Sequence, residues 1–480
     1  MKVTLYPWHE RELPGGAAVP DGVEQTSFIP ETVFDFDIEA TDEPLIARAG
    51  LVLPHQMAVA LGLPRKIDRE LPAPGSPRGY APSAFAMPVI LMLHGGGRVL
   101  DDLRELRAEV SLRELLRMKQ LPDSTTVGDW LRRMGRDGRG LDGLERVNDH
   151  LNRQLLQRSK SVDYTLDVDA TIIETEKETA HWTYKKVKGY QPILGFLQPT
   201  EGCSGPSELP QATGDTELAN PPRGPIVADE FREGNVPAGV GAVAFLERCK
   251  EKLPAGKRLK GLRSDSAFYQ AGVFNWCQHN GVRFAICADQ DSAVKEAIHN
   301  IDASEWKPYT KDREIAQTVH TMNETEQAFR LVVQRWPKEQ PELFDPEPYF
   351  YHVIASGGEE DETPEEVVTF YNQRGEIENW IKELKEGFGM NWMPCGETFA
   401  NAVYFRLGVI AYNLFIAMKV LSLPGRWQRY TIATVRWRLY ETAGRVLWNG
   451  CQVVLKLATT LEKVKLLLAA RRRVQSLVMT

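Results

Sequence analysis

The sequence predicts an α/β protein built on a mixed sheet with helices packed against it, flanked by helical segments at both ends. Three observations predict this. Apolar residues recur with helical spacing between Asp101 and Gln120, the period switches to two at Ser161, and strand-like and helix-like runs then alternate as far as Cys287. At 480 residues the chain exceeds one compact core. We divide it at 1–160 (mainly helical), 161–288 (first part of the sheet domain), 289–362 (a β-rich insertion), 363–423 (second part of the sheet domain) and 424–480 (a basic, helical C-terminal region).

Composition narrows the function classes. Six scattered cysteines without a C-x-x-C pair suggest neither a zinc framework nor a disulfide scaffold, and they fit a reducing cytoplasm. The N-terminus has no apolar h-region, and the apolar run Leu407 to Met418 is too short to span a bilayer, so no membrane role is expected. The net charge is −7, but Arg426 to the end holds eleven Lys and Arg against two Glu, leaving −16 upstream. Basic residues interleaved there with Trp427, Tyr430, Trp437, Tyr440 and Trp448 suit a polyanion surface, or equally a set of helices with basic outer faces.

In chain order, Leu103, Leu106, Val110, Leu112, Leu115 and Leu116 mark one helix, and a break at Leu121-Pro122-Asp123 precedes a second from Ser124 or Thr125. The second carries Arg132, Arg133 and Arg136, and the pair has the look of a helix-turn-helix with DNA-contacting arginines at 132 and 133. In Tyr164 to Thr171 polar and apolar residues alternate, so Asp167 and Asp169 share one face of a strand that should stay uncovered. GYQPILGFL reads as its hairpin partner and 198–224 as a surface loop. Gly224 to Phe231 is a strand, Val240 to Leu253 a helix, and Leu259 to Ser264 a strand ending on Asp265. Helix Ala271 to Asn280 and strand Val282 to Cys287 follow. This order is the ribonuclease H-like layout, in which the first strand is central and the fourth lies beside it. Asp169 and Asp265 can then meet, and two such carboxylates require a cation. Hard oxygen ligands select magnesium or manganese. Asp229-Glu230 and Asp289 also close strands and read as solvated strand ends.

A last helix opens at Thr363-Pro364-Glu365-Glu366, a capping box with proline at the first position, and should run to Gly387 or Gly389. Projected at about 100° per residue, it gathers Phe370, Ile377, Trp380, Ile381, Leu384 and Phe388 on one side. Tyr371, Arg374, Glu378, Lys382 and Lys385 form an adjacent stripe. Asn401 to Leu423 reads as an apolar helix covering the sheet.

Tyr371, Arg374, Glu378 and Lys385 keep the spacing Tyr, two residues, Arg, three residues, Glu, six residues, Lys. With Asp169-Ala170-Thr171 and Arg263-Ser264-Asp265-Ser266, this resembles the DDE transposases of bacterial insertion sequences, in the Tyr-Arg-Glu-Lys signature group of insertion sequence 1380 type. The resemblance covers about Ser161 to Trp448. It implies a cut-and-paste reaction on double-stranded DNA, cleaving terminal inverted repeats and joining them to a target. Two Mg2+ or Mn2+ ions would be held by Asp169, with Asp167 as runner-up, and by Asp265 and Glu378. Tyr371, Arg374 and Lys385 would be phosphate contacts, and Trp306, with Trp336 as a rival, would be an aromatic stacking on a flipped base. Gly375 would let a DNA backbone come close. It further implies a homodimer on paired ends in the bacterial cytoplasm at the nucleoid. The alternatives are a catalytically silent DNA-end binder and a metal-dependent nuclease of the same fold without strand transfer.

Overall fold

The computed structural model describes residues 40–478 except 77–78, 119, 201–222, 339–346, 359–360 and 451. Most of the surface loop expected at 198–224 therefore lies outside the described residues, as do Cys203 and Cys451. The chain divides into two units, 1–43 and 44–480. The first is described only over 40–43, where the Glu43 N–H donates to Thr41 Oγ1 at 3.2 Å. All that follows concerns the second.

It begins with a short strand, β1 (Leu45–Ile46), and seven helices: α1 (Val52–Ala60), α2 (Leu63–Glu70), α3 (Ser83–Gly95), α4 (Leu103–Ala108), α5 (Val110–Leu115), α6 (Ser124–Gly135) and α7 (Arg139–Gln157). The single helix read from the leucine spacing is broken at Glu109, whose ψ of 71° leaves the helical region. Asp123 caps α6, accepting from the Thr126 N–H at 2.8 Å. The connection from α5 to α6 spans 116–123, longer than the tight turn expected, and the inner side of α6 is buried. Trp130 there stacks on Phe85 at 5.2 Å.

The sheet follows: β2 (Asp163–Ala170), a small side sheet of β3 (Ile173–Glu174), β4 (His181–Trp182) and β5 (Lys188–Tyr190), then β6 (Ile193–Pro199), β7 (Ile226–Glu230), α8 (Ala242–Glu251), β8 (Arg258–Ser264), α9 (Ala271–Asn280), β9 (Arg283–Cys287) and α10 (Ser292–His299). The region read as an insertion supplies β10 (Lys307–Pro308), β11 (Glu314–His320), β12 (Phe329–Pro337) and β13 (Tyr349–Gly357). All join one nine-stranded sheet in the order β10-β11-β12-β13-β9-β8-β2-β6-β7. Its centre is as the sequence suggested: β2 runs antiparallel to β6 and parallel to β8.

Helices α11 (Pro364–Asn372) and α12 (Gly375–Lys382) come next, the second ending in a π-helical turn, Glu383–Gly387. The capping box forms, with the Thr363 N–H donating to Glu366 Oε2 at 2.8 Å and the Glu366 N–H to Thr363 Oγ1 at 3.3 Å. The expected continuous helix does not form. In an unbroken helix the Arg374 N–H would bond the Phe370 carbonyl, but that oxygen accepts from Arg263 Nη1 at 3.0 Å, and the Arg374 N–H turns to Tyr371 O at 2.9 Å. The apolar side is accordingly split. Phe370 joins Val367, Val368, Ile315 and Val332 on one face of the sheet, while Ile377, Ile381, Leu384 and Phe388 enter the helical core.

That core surrounds α13 (Thr398–Ser422), buried from Ala400 to Ser422. The helix is long and apolar enough to cross a membrane, yet protein encloses it on all sides. It is longer than the sequence reading, and it forms the axis of the helical body rather than a cover for the sheet. It meets the sheet's edge strand through polar ties, Arg406 Nη2 to Asp229 Oδ2 at 2.9 Å and Asn413 Nδ2 to Ile226 O at 2.8 Å. Asp229 is thus a structural partner, as is Glu230, which pairs with Arg232 and Arg248.

The chain closes with α14 (Ile432–Val435), β14 (Gly444–Asn449), β15 (Gln452–Leu457) and α15 (Leu461–Ser476). The all-helical reading of 424–480 is corrected here. β14 and β15 form a hairpin with β1 at its edge. Asn449 pairs with Gln452, and Gly450, at φ +59°, takes the left-handed conformation with which the turn begins; the alternation on either side marks the strands.

Candidate active site

Parallel pairing sets the site. Val168 of β2 lies opposite Ser264 of β8, so the next residues, Asp169 and Asp265, leave adjacent strand ends together. Ser264 Oγ donates to Val168 O at 3.0 Å and fastens this junction. Asp265 also caps a short helical turn, accepting from the Ala267 N–H at 3.1 Å. Burial, followed by the neighbouring Asp265 charge, pushes the Asp169 carboxyl up to about 6, and Arg374 opposes the rise. Arg374 Nη1 sits 3.0 Å from Asp169 Oδ2. Burial disfavours the guanidinium charge, but Asp169, Tyr371 and Asp265 together outweigh it and hold Arg374 above its ordinary range.

Asp167, the alternative ligand, is committed elsewhere. It is 0 % exposed, held under Arg263 and Gln198 rather than open as expected. Arg263, 1 % exposed, binds both its oxygens at 2.7 and 2.8 Å, and Gln198 Nε2 donates to it at 2.8 Å. The same guanidinium reaches Gln373 Oε1 at 2.6 Å and stacks over Phe370 at 5.0 Å. Arg263 therefore locks β2, β8 and the α11–α12 bend into one register, and the bend aims Arg374 at Asp169. Sequence reasoning quoted Arg263 only as context. The available signal was an arginine two residues before one acid and an aspartate two before the other, on strands expected to be neighbours.

The stripe drawn on a straight helix is divided by the bend. Tyr371 is buried beside His352 and Cys287, its hydroxyl pushed up to about 12, first by burial and then by the Cys287 thiol. Lys385 is half-buried and donates to Ile172 O at 2.7 Å, three residues beyond Asp169. Burial lowers its pKa. Glu378 is exposed, and among the described residues it has no hydrogen-bond or ion-pair partner. No group of three metal-ligating side chains is assembled among the described residues. The structure brings together Asp169, Asp265 and Arg374, and leaves Glu378 one turn further along on the surface. Gly375 opens onto free space, with nothing within 4 Å of an added Cβ.

The remaining candidates are dispersed. Trp306 is 8 % exposed, with Arg335 lying 3.8 Å over its ring, so it is a core residue, and the expectation of a stacking aromatic there is corrected. Trp336 is half-buried under Arg313 at 4.5 Å. Arg132 is tied to Glu397 and Asp129, both at 3.1 Å, whereas Arg133 is exposed. Asp289 is exposed at the end of β9.

Two acids thus meet at the ends of neighbouring parallel strands, and Arg374, from the α11–α12 bend, faces Asp169. The chain belongs to the transposase DDE domain group 1 family, whose model matches residues 36–479. It is therefore a DDE transposase by family, a family of polynucleotidyl transferases and nucleases that act on DNA. Among curated proteins no match is found.

Proposed function

We propose that this chain cleaves DNA at the inverted-repeat ends of an insertion sequence and joins those ends to a target, cut-and-paste, on a ribonuclease H-like catalytic domain of the Tyr-Arg-Glu-Lys group. The observation that carries the reading is the meeting of Asp169 and Asp265 at the ends of β2 and β8.

The donor set fits a divalent cation in part. Two adjacent carboxylates, with the Asp265 charge raising the Asp169 pKa, are hard oxygen ligands that call for positive charge between them, and Arg374 now supplies part of it. Asp169 and Asp265 would hold the ions, with Glu378 as third ligand once α12 is drawn inward by DNA. Two Mg2+ or Mn2+ ions, when bound, would acidify the attacking water or 3'-hydroxyl and neutralise phosphate charge. Arg374, released from Asp169, and Lys385 would hold the terminal phosphates, while Tyr371 packs behind them. Residues 1–160 would bind the ends, including through Arg133, in a homodimer on paired ends at the bacterial nucleoid.

Glu378→Gln should abolish metal-dependent cleavage of a duplex made from the DNA flanking the reading frame. Stability should change by no more than about 0.5 kcal/mol, because the side chain is exposed. Full cleavage by that variant would refute the assignment. A second reading, a DNA-end binder that does not cut, is favoured by one observation: Arg374, not a third acid, faces Asp169. Binding without cleavage by the wild-type protein would select it.

A further inference from the structure

Between the strand that carries Asp169 and its antiparallel partner the chain makes a small side sheet whose exposed groups the active site does not use. β3 begins four residues after Asp169, and β5 ends just before β6, whose Leu194 pairs with Asp169. The hairpin of β4 and β5 thus stands at the end of the large sheet where Asp169 emerges.

Its root is rigid. Tyr190 is fully buried and its hydroxyl accepts from Asn401 Nδ2 of α13 at 3.1 Å. Gly189 and Gly234 are so closely packed that a Cβ at either would lie 2.4 Å from a backbone oxygen, Ile173 O and Gly189 O respectively. The turn is closed by the Thr183 N–H to Val187 O at 2.8 Å and Thr183 Oγ1 to the same oxygen at 2.9 Å.

Its tip, by contrast, displays large apolar rings. Trp182 is 67 % and Tyr184 72 % exposed. From Trp182 to Lys188 the sequence WTYKKVK holds three lysines and no acid, the glutamates at 174, 176 and 178 all lying on the preceding arm. Folding gains nothing from a tryptophan and a tyrosine held in water on a locked hairpin. Rings two residues apart among lysines suit a strand of nucleic acid, where bases stack on the rings and cations meet phosphates. The hairpin also adjoins the signature helix, since Lys385 bonds Ile172 O and senses the charges of Glu174 and Lys185.

We infer that the β4–β5 hairpin is a DNA-binding wing of the active site, with Trp182 and Tyr184 stacking on unpaired bases beside the scissile phosphate and Lys185 and Lys186 contacting the backbone. The inference rests on the DNA strand-transfer reading and adds to it a site outside the metal and signature residues.

The test measures binding of the full chain to single-stranded oligothymidine and to a duplex of its own flanking DNA, over a range of salt. Trp182→Ala with Tyr184→Ala should weaken oligothymidine binding about 5-fold or more, and Trp182→Phe should retain most of it. Lys185→Ala with Lys186→Ala should lower the salt slope on single strands by about 1.4. Circular dichroism and thermal unfolding should match wild type in all of these variants, because the side chains are exposed. Wild-type affinity and slope in the alanine variants would overturn the wing while leaving the enzymatic reading intact. A wild-type protein that binds neither probe would overturn both.

Discussion

The paired acids make a prediction about stability that needs no DNA. Asp169 is lifted from an ordinary 3.8 to about 6, which corresponds to about 3 kcal/mol of unfavourable ionisation in the folded state. Burial is the larger cause and the Asp265 charge the second. A carboxyl raised on folding gives stability that is full below the unfolded pKa and lost as pH climbs through the folded value. The metal-free protein should therefore lose stability between about pH 4 and 7. Asp265→Asn removes one charge while keeping an oxygen that can still accept from the Ala267 N–H. The Asp265 charge is the second cause of the rise at Asp169 and only the last of those that hold Arg374 charged. The variant should be more stable than wild type by on the order of 1 kcal/mol at about pH 8, and the gain should vanish near pH 4. Urea denaturation in chelator at the two pH values measures this. A variant equal to or weaker than wild type at the higher pH would show that the two charges do not oppose each other, and the site argument would fall with them.

Two further outcomes follow from packing. Arg263→Met strands the buried Asp167 and frees the α11–α12 bend, so it should cost about 3–5 kcal/mol in a denaturant titration; a loss below about 1 kcal/mol would deny the guanidinium its locking role. Gly50→Ala places a Cβ 2.2 Å from Leu439 O and forces the N-terminal helices away from the C-terminal segment. It should lower stability by about 1–3 kcal/mol in thermal unfolding, and an unchanged midpoint would show that the contact yields freely.

What the sequence determined by itself is what short-range chemistry writes into it. The period-two run at Tyr164 to Ala170 and the capping box at Thr363 each express local geometry, and the strand and the helix start are found where they indicate. The alternation on either side of Gly450 is local in the same way and marks a hairpin where helices were expected. Tertiary structure decided what depends on partners distant in sequence. No periodicity shows that an arginine from β8 will take the Phe370 carbonyl and bend the signature helix, because that bond joins residues 107 apart. Nor does hydropathy distinguish a helix lying on a sheet from α13, the axis of a helical body, since both are apolar throughout. The separation of Asp167 from Asp169 has the same origin. Two identical side chains share one strand face, yet Arg263 and Gln198 enclose the first and leave the second at the strand end beside Asp265.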